Sequence, residues 1–124
     1  MSEEERPRRE AAGWIQSARE AHGLTVDQFA DMLGVNPRTV RAWEAGRDPI
    51  PYRVPGQVRE ALVDPTDRIV AALIADDLEA VPIYRDDDTL RASVHGVPDF
   101  AGARWWRHVA WRVHKATGVP MRDM

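Results

Sequence analysis

Apolar residues recur along most of this chain at three- and four-residue spacing, so the pattern predicts a mostly α protein. Ala11, Trp14, Ile15 and Ala18 form one stripe of a helix over 7–22, which Pro7 opens and Gly23 closes. Phe29, Ala30 and Leu33 mark a second helix. Thr25 and Gln28 sign its start: three residues apart, each side chain can reach the other's free backbone N–H, a capping box. Leu24 and Phe29 flank that cap as a hydrophobic staple, and Gly34 supplies the positive φ that ends the helix. A third helix over 36–45 opens with Asn36 as cap and Pro37 at its first position, and stops at Gly46. Only Leu33-Gly34-Val35 separates the second and third helices, so they must cross steeply.

Pro49, Pro51 and Pro55 punctuate the next stretch, and Val58 and Leu62 predict a helix over 54–63. Another is expected over 64–80, its Ile69, Val70, Leu73, Ile74 and Leu78 forming a seam between two halves of the chain. From Val81 the texture changes to a short strand over 81–85. Asp86, Asp87 and Asp88 read as a turn or cap, a second short strand is expected near 92–94, and a loop follows over 93–100. A final helix covers 102–117. Its stripe of Trp105, Val109, Val113 and Ala116 is widened by Trp106 and Ala110, while Trp111 falls on another side. A helix apolar on more than one side needs more than one partner. Packing within this half's own core and a second copy of the chain are both open as suppliers; a second copy would place Ile83, Tyr84, Trp105, Trp106, Val109, Trp111 and Val113 at a dimerisation surface.

Composition narrows the function classes. The chain has 124 residues and a formal charge of −3, and it lacks cysteine, which excludes disulfides, thiolate catalysis and cysteine zinc sites. No apolar run approaches the roughly 20 residues of a membrane span, and the charged N-terminus is not a secretory signal, so a cytoplasmic protein with no membrane partner is expected. Net negative charge argues against a general polyanion binder, but Arg38, Arg41 and Arg47 cluster locally. His22, His95, His108 and His114 lack ligand spacing, and neither a phosphate-cradling glycine loop nor a serine elbow is present. Neither a metal, a cofactor nor an enzyme activity is therefore expected.

The third helix carries the distinctive chemistry. Val40 and Trp43 point inward, whereas Pro37, Arg38, Arg41 and Ala42 present short side chains and two guanidinium forks. That is the surface a helix needs to enter a major groove and set arginines against guanine O6 and N7. Asn36, Arg47 and Arg53 are placed to hold phosphates beside it. The partner read from these residues is double-stranded DNA.

The stretch LTVDQFADMLGVNPRTVRAWEAGRDPIP resembles the helix-turn-helix of the lambda-repressor and Cro (XRE) superfamily. The marks are Leu24-Thr25, Phe29-Ala30, Leu33-Gly34-Val35, Thr39-Val40 and Glu44 before Gly46. The resemblance implies a five-helix DNA-binding domain over 8–63, backbone contacts from Thr25, Gln28 and Thr39, and a structural ion pair between Arg19 and Glu44. Val26 stands where many members have glutamine and Ala45 where many have asparagine, which shifts backbone binding toward Arg38, Arg41, Arg47 and Arg53. Trp43-Glu44-Ala45-Gly46-Arg47, Ile50-Pro51, Ile83-Tyr84 and Trp106-Arg107 also resemble the anti-CRISPR-associated small regulators. That likeness implies a homodimeric autorepressor, bacterial or phage-encoded, binding a palindromic operator. The implied organisation is a disordered leader over 1–7, the helix-turn-helix domain over 8–63, a connecting helix over 64–80 and a C-terminal dimerisation unit over 81–124 with one or two short strands and a helix. The alternative is an antitoxin, or a phage or host interaction module, using the same helix-turn-helix beside a toxin or other protein partner.

Overall fold

The computed structural model describes the backbone of residues 5–124 and the side chains from residue 10 onward. The chain forms two compact units, Met1–Val63 and Asp64–Met124. Residues 1–4 of the expected leader lie outside the described residues, whereas residues 5–7 are already helical.

The first unit contains α1 (Glu5–Ala21), α2 (Val26–Leu33), α3 (Pro37–Glu44) and α4 (Val54–Val58). Ile15, Phe29, Val40, Val58 and Leu62 are fully buried and form its core, with Leu24, Ala30, Trp43 and Val54 around them. Arg59 lays its guanidinium 4.6 Å from the centre of the Trp14 ring, covering that half-exposed indole with a cation. The helix expected over 54–63 is α-helical only to Val58 and widens into a π-helical turn over Arg59–Val63. Pro65 supplies the reason. It has no N–H to return to the carbonyl of Ala61, so a regular α-helical ladder cannot run through this point, and the helix loses its regular winding just before it.

The second unit contains α5 (Asp64–Ala75), β1 (Val81–Ile83), α6 (Asp87–Ser93), α7 (Ala103–Thr117) and β2 (Met121–Asp123). Helix α5 ends at Ala75, short of the expected residue 80, because the chain enters the left-handed region at Asp77 (φ 52°), a conformation aspartate tolerates. The second strand is not at 92–94. Those residues fall at the end of α6 and just beyond it, and α6 forms because the Asp86 side chain caps it, accepting the Thr89 N–H at 2.8 Å. That backbone bond, then the Thr89 side chain and the nearby Arg85, hold the Asp86 carboxyl below the usual carboxylate range. The second strand is instead β2, which pairs parallel with β1 in the register Val81 to Met121 and Ile83 to Asp123. A three-residue polar strand has no alternation to announce it.

Helix α7 is the centre of this unit. Trp105 donates its indole N–H to Thr66 Oγ1 on α5 at 3.0 Å, and Trp106 donates its own to the Pro82 carbonyl on β1 at 2.6 Å. The two partners that a doubly apolar helix requires thus come from its own chain. This corrects the expected dimer surface: Tyr84, Trp105, Trp106, Val109 and Val113 are buried inside a single copy, with Trp105 1% and Val109 0% exposed. Ile83 is half-buried, and only Trp111, at 51%, faces outward. The start of α7 is fixed by Asp87, whose Oδ1 accepts the Ala103 N–H at 2.7 Å. That carboxylate lies so close to Gly102 that a Cβ there would meet it at 2.9 Å. Replacing Thr66 with valine leaves the Trp105 indole N–H buried without this acceptor. A loss of about 1–3 kcal/mol in urea-unfolding free energy is expected for the second unit. An unchanged midpoint would show that the bond contributes nothing net.

Candidate nucleic-acid interface

Local sequence chemistry sets the position of α3. The capping box closes as the residues require: Gln28 N–H donates to Thr25 Oγ1 at 3.1 Å, and the Thr25 N–H donates to Gln28 Oε1 at 2.9 Å. Gly34 takes a left-handed φ of 70°, and Val35 N–H returns to the Ala30 carbonyl at 3.0 Å, so α2 turns into α3 within a few residues. Asn36 then caps α3, its Oδ1 accepting the Arg38 N–H at 2.9 Å, with Pro37 at the first helical position.

Burial of Val40 and Trp43 decides which side of α3 faces out. Arg38 and Arg41 are exposed, while Pro37, Thr39 and Ala42 are half-buried beside them. At the other end of α3 the Ala42 carbonyl accepts two N–H groups, Arg47 at 2.9 Å and Asp48 at 3.3 Å. Gly46 permits this fold-back with a φ of 74°. The result is an open concavity of about 380 Å³ lined by Arg38, Thr39, Arg41, Ala42, Arg47 and Asp48.

Arg19 and Glu44 brace that surface from behind. Arg19 Nε reaches Glu44 Oε2, and Nη2 reaches Glu44 Oε1, both at 2.8 Å. Arg19 Nη1 also donates to the Leu24 carbonyl at 3.0 Å. The fork-to-fork pair ties the end of α1 to the end of α3, and the bond to Glu44 raises the Arg19 pKa further above its ordinary range.

Residues 15–53, which contain α2, α3 and the turn between them, match the family model described as Helix-turn-helix. Over those residues the chain is similar to a lambda-repressor-type helix-turn-helix. No curated protein and no solved structure was found to match the chain.

Within the helix-turn-helix, the concavity gathers Arg38, Thr39, Arg41, Ala42 and Arg47, and Pro37 and Asn36 adjoin it at the start of α3. Arg53 is exposed at the start of α4 and does not line it. Thr25, Gln28 and Asn36 each have one side-chain oxygen committed to a cap, which fixes their rotamers. The amide groups of Gln28 and Asn36 then retain N–H donors for an anion.

Three neighbours were not among the residues picked out by sequence. Asp27, in the first turn of α2, lies 3.8 Å from Arg41, both side chains being largely exposed. Asp48 lines the concavity beside Arg47. Tyr52 is 96% exposed between Pro51 and Arg53, just after the helix-turn-helix turns away from α3. An aromatic set among prolines in a polar loop was the available signal for Tyr52. The two aspartates gave none, because their placement follows from the crossing of α2 and α3. Among the described residues no group of three or more histidine or carboxylate side chains could hold a metal ion, and no helix is long and apolar enough to cross a membrane.

Proposed function

We propose that the protein is a transcriptional regulator, a homodimeric repressor that occupies a palindromic operator through α3. The observation that carries this reading is the exposed pair Arg38 and Arg41 on a helix whose opposite side is locked into the core by Val40, Trp43 and the Glu44–Arg19 pair. Arginines on a rigid helix can present bidentate forks to guanines, and the small Ala42 and Pro37 let the helix approach the base edges. Arg47, Thr39, Asn36, Thr25, Gln28 and Arg53 fix register on the phosphates without reading sequence. Repression follows by occupancy: a protein seated on an operator excludes polymerase from the same duplex.

Dimeric binding is supported by the geometry a single helix-turn-helix faces. One reading helix covers only a few base pairs, and two-fold pairing doubles the site with half-sites about one helical turn apart. With Trp105 and Trp106 committed to their own core, the pairing surface comes from exposed parts of the second unit. The outer edge of β2 fits, since Met121, Arg122 and Asp123 are all exposed there. On the other strand, the Pro82 nitrogen carries no proton and its carbonyl is already bonded to Trp106, which closes that edge.

Selection of binding sites from a random duplex library, read beside light scattering of the protein alone, tests the whole reading. Enriched inverted repeats and a dimer at micromolar concentration are expected. A monomer that selects no sequence would overturn it, and a chain that gains specificity only beside a second protein would favour the antitoxin-like alternative.

A further inference from the structure

The outward side of α7 is a second cationic surface, unrelated in sequence to the reading helix. Arg104, Arg107, Trp111 and Lys115 are exposed within one face of α7, opposite the buried Val109 and Val113. The helix contains no acidic residue in a chain whose net charge is −3, so charge has been segregated onto it. Among the described residues the arginines in ion pairs are Arg19, Arg41 and Arg112; the first two are in the other unit, and Arg112 turns to Asp67 beside this face. Arg107 makes only a long 3.4 Å bond to the Tyr84 carbonyl, and with Arg85 and Asp123 it borders a recess of about 240 Å³ at one end of the face.

Arg104 is placed against the helix's own electrostatics. Cations are disfavoured beside the positive N-terminal end of a helix, yet α7 has Arg104 in its first turn and no acid there. The compensating carboxylate is brought from α6, where Asp87 accepts the Ala103 N–H. Trp111 sits amid these cations, half exposed, with the His114 ring 5.6 Å away and Lys115 5.8 Å from its own ring centre. An apolar partner helix would need further apolar neighbours around Trp111, and the other exposed positions of the face are arginine and lysine.

We propose that this face grips the phosphate backbone of duplex DNA, independently of sequence. Choosing DNA as the polyanion rests on the helix-turn-helix reading; the cationic face itself does not. From Arg104 to Lys115 the helix rises about 16 Å, and each DNA strand offers a phosphate about every 3.4 Å of axis, so several phosphates lie within reach. The arginines and Lys115 neutralise them, and the Trp111 indole N–H can donate to a phosphate oxygen between.

The test uses the full-length chain and a labelled random-sequence duplex, with anisotropy measured across a salt series. The variant R38A/R41A removes the reading forks. It is expected to keep weak, sequence-independent binding at low salt, and adding R104A/R107A/K115A should abolish it. In the wild-type background, R104A/R107A/K115A should leave sequence preference unchanged and reduce the slope of log K against log salt by about 2–3, near 0.9 per phosphate contact released. Trp111 should be shielded from acrylamide quenching by duplex, read as the difference from Trp111→Phe. An unchanged slope overturns this proposal while leaving the reading helix intact. Shielding of Trp111 by polyglutamate but not by duplex overturns it in favour of an acidic protein partner. Loss of sequence preference in R38A/R41A without loss of slope in R104A/R107A/K115A separates its failure from that of the function proposed above.

Discussion

Glu44→Ala is expected to destabilise the first unit by about 3–4 kcal/mol, the low-to-middle range for removing one partner of a buried charge pair. Glu44 and Arg19 expose only 10% and 12% of their side chains, and no other carboxylate among the described residues approaches Arg19 as closely. The alternative partner, Glu20, is 3.4 Å away with its side chain 57% exposed, and it cannot offer the same fork from solvent. Without Glu44, Arg19 must either stay poorly solvated or swing out and release the Leu24 carbonyl it also holds. Urea unfolding followed by far-ultraviolet circular dichroism measures the effect. The paired replacement Arg19→Met with Glu44→Leu should recover most of the loss, because no charge then remains to be desolvated. A Glu44→Ala change within 0.5 kcal/mol of wild type would mean that the pair is as weak as an exposed surface bridge.

Arg38→Ala and Arg41→Ala are expected to give the largest losses of binding. A good bidentate contact to a base contributes about 1–3 kcal/mol of discrimination, so each substitution should cost roughly 5- to 150-fold in affinity per half-site and relax the preference at one base pair. Arg41 has an additional feature. Asp27 lies within 3.8 Å and must be left behind when Arg41 turns to a base, at a cost below about 1 kcal/mol for so exposed a pair. Asp27→Asn removes both that competition and a carboxylate facing the phosphates, and tighter binding to all sequences is expected. Arg47→Ala should instead weaken every sequence alike and lower the salt slope by about one. Competition binding on the selected operator and on scrambled duplex reads these effects separately. Equal loss on both duplexes for Arg38→Ala would remove Arg38 from the bases and place it on the backbone.

The features legible in the sequence are those decided within a few residues. The Thr25–Gln28 box and the Asn36 cap each depend on a side chain meeting a backbone N–H two or three positions away, and the Gly34 turn and Gly46 stop on the positive φ that glycine allows. Together they place α2 and α3, and the period of Val40 and Trp43 then orients α3 so that Arg38 and Arg41 face out. The Arg19–Glu44 pair came from family resemblance rather than spacing, since its partners are 25 residues apart.

The second unit shows where local reading stops. The apolar character of α7 on more than one side was visible, and the need for two partners followed from it. Which partners they are depends on α5 and β1 reaching α7 through contacts 39 and 24 residues distant, at Thr66 and Pro82. Likewise β2 exists because the chain returns beside β1 after α7, and Met-Arg-Asp carries no strand pattern of its own. Sequence alone determined the capped helices, the turn between them and the outward arginines, because those follow from short-range hydrogen bonds and helical period. Tertiary structure alone decided that Trp105 and Trp106 are buried within one copy of the chain while Trp111 is exposed. Burial is a property of all the surfaces that meet at a residue, and the chain had to close on itself before any of them could be counted.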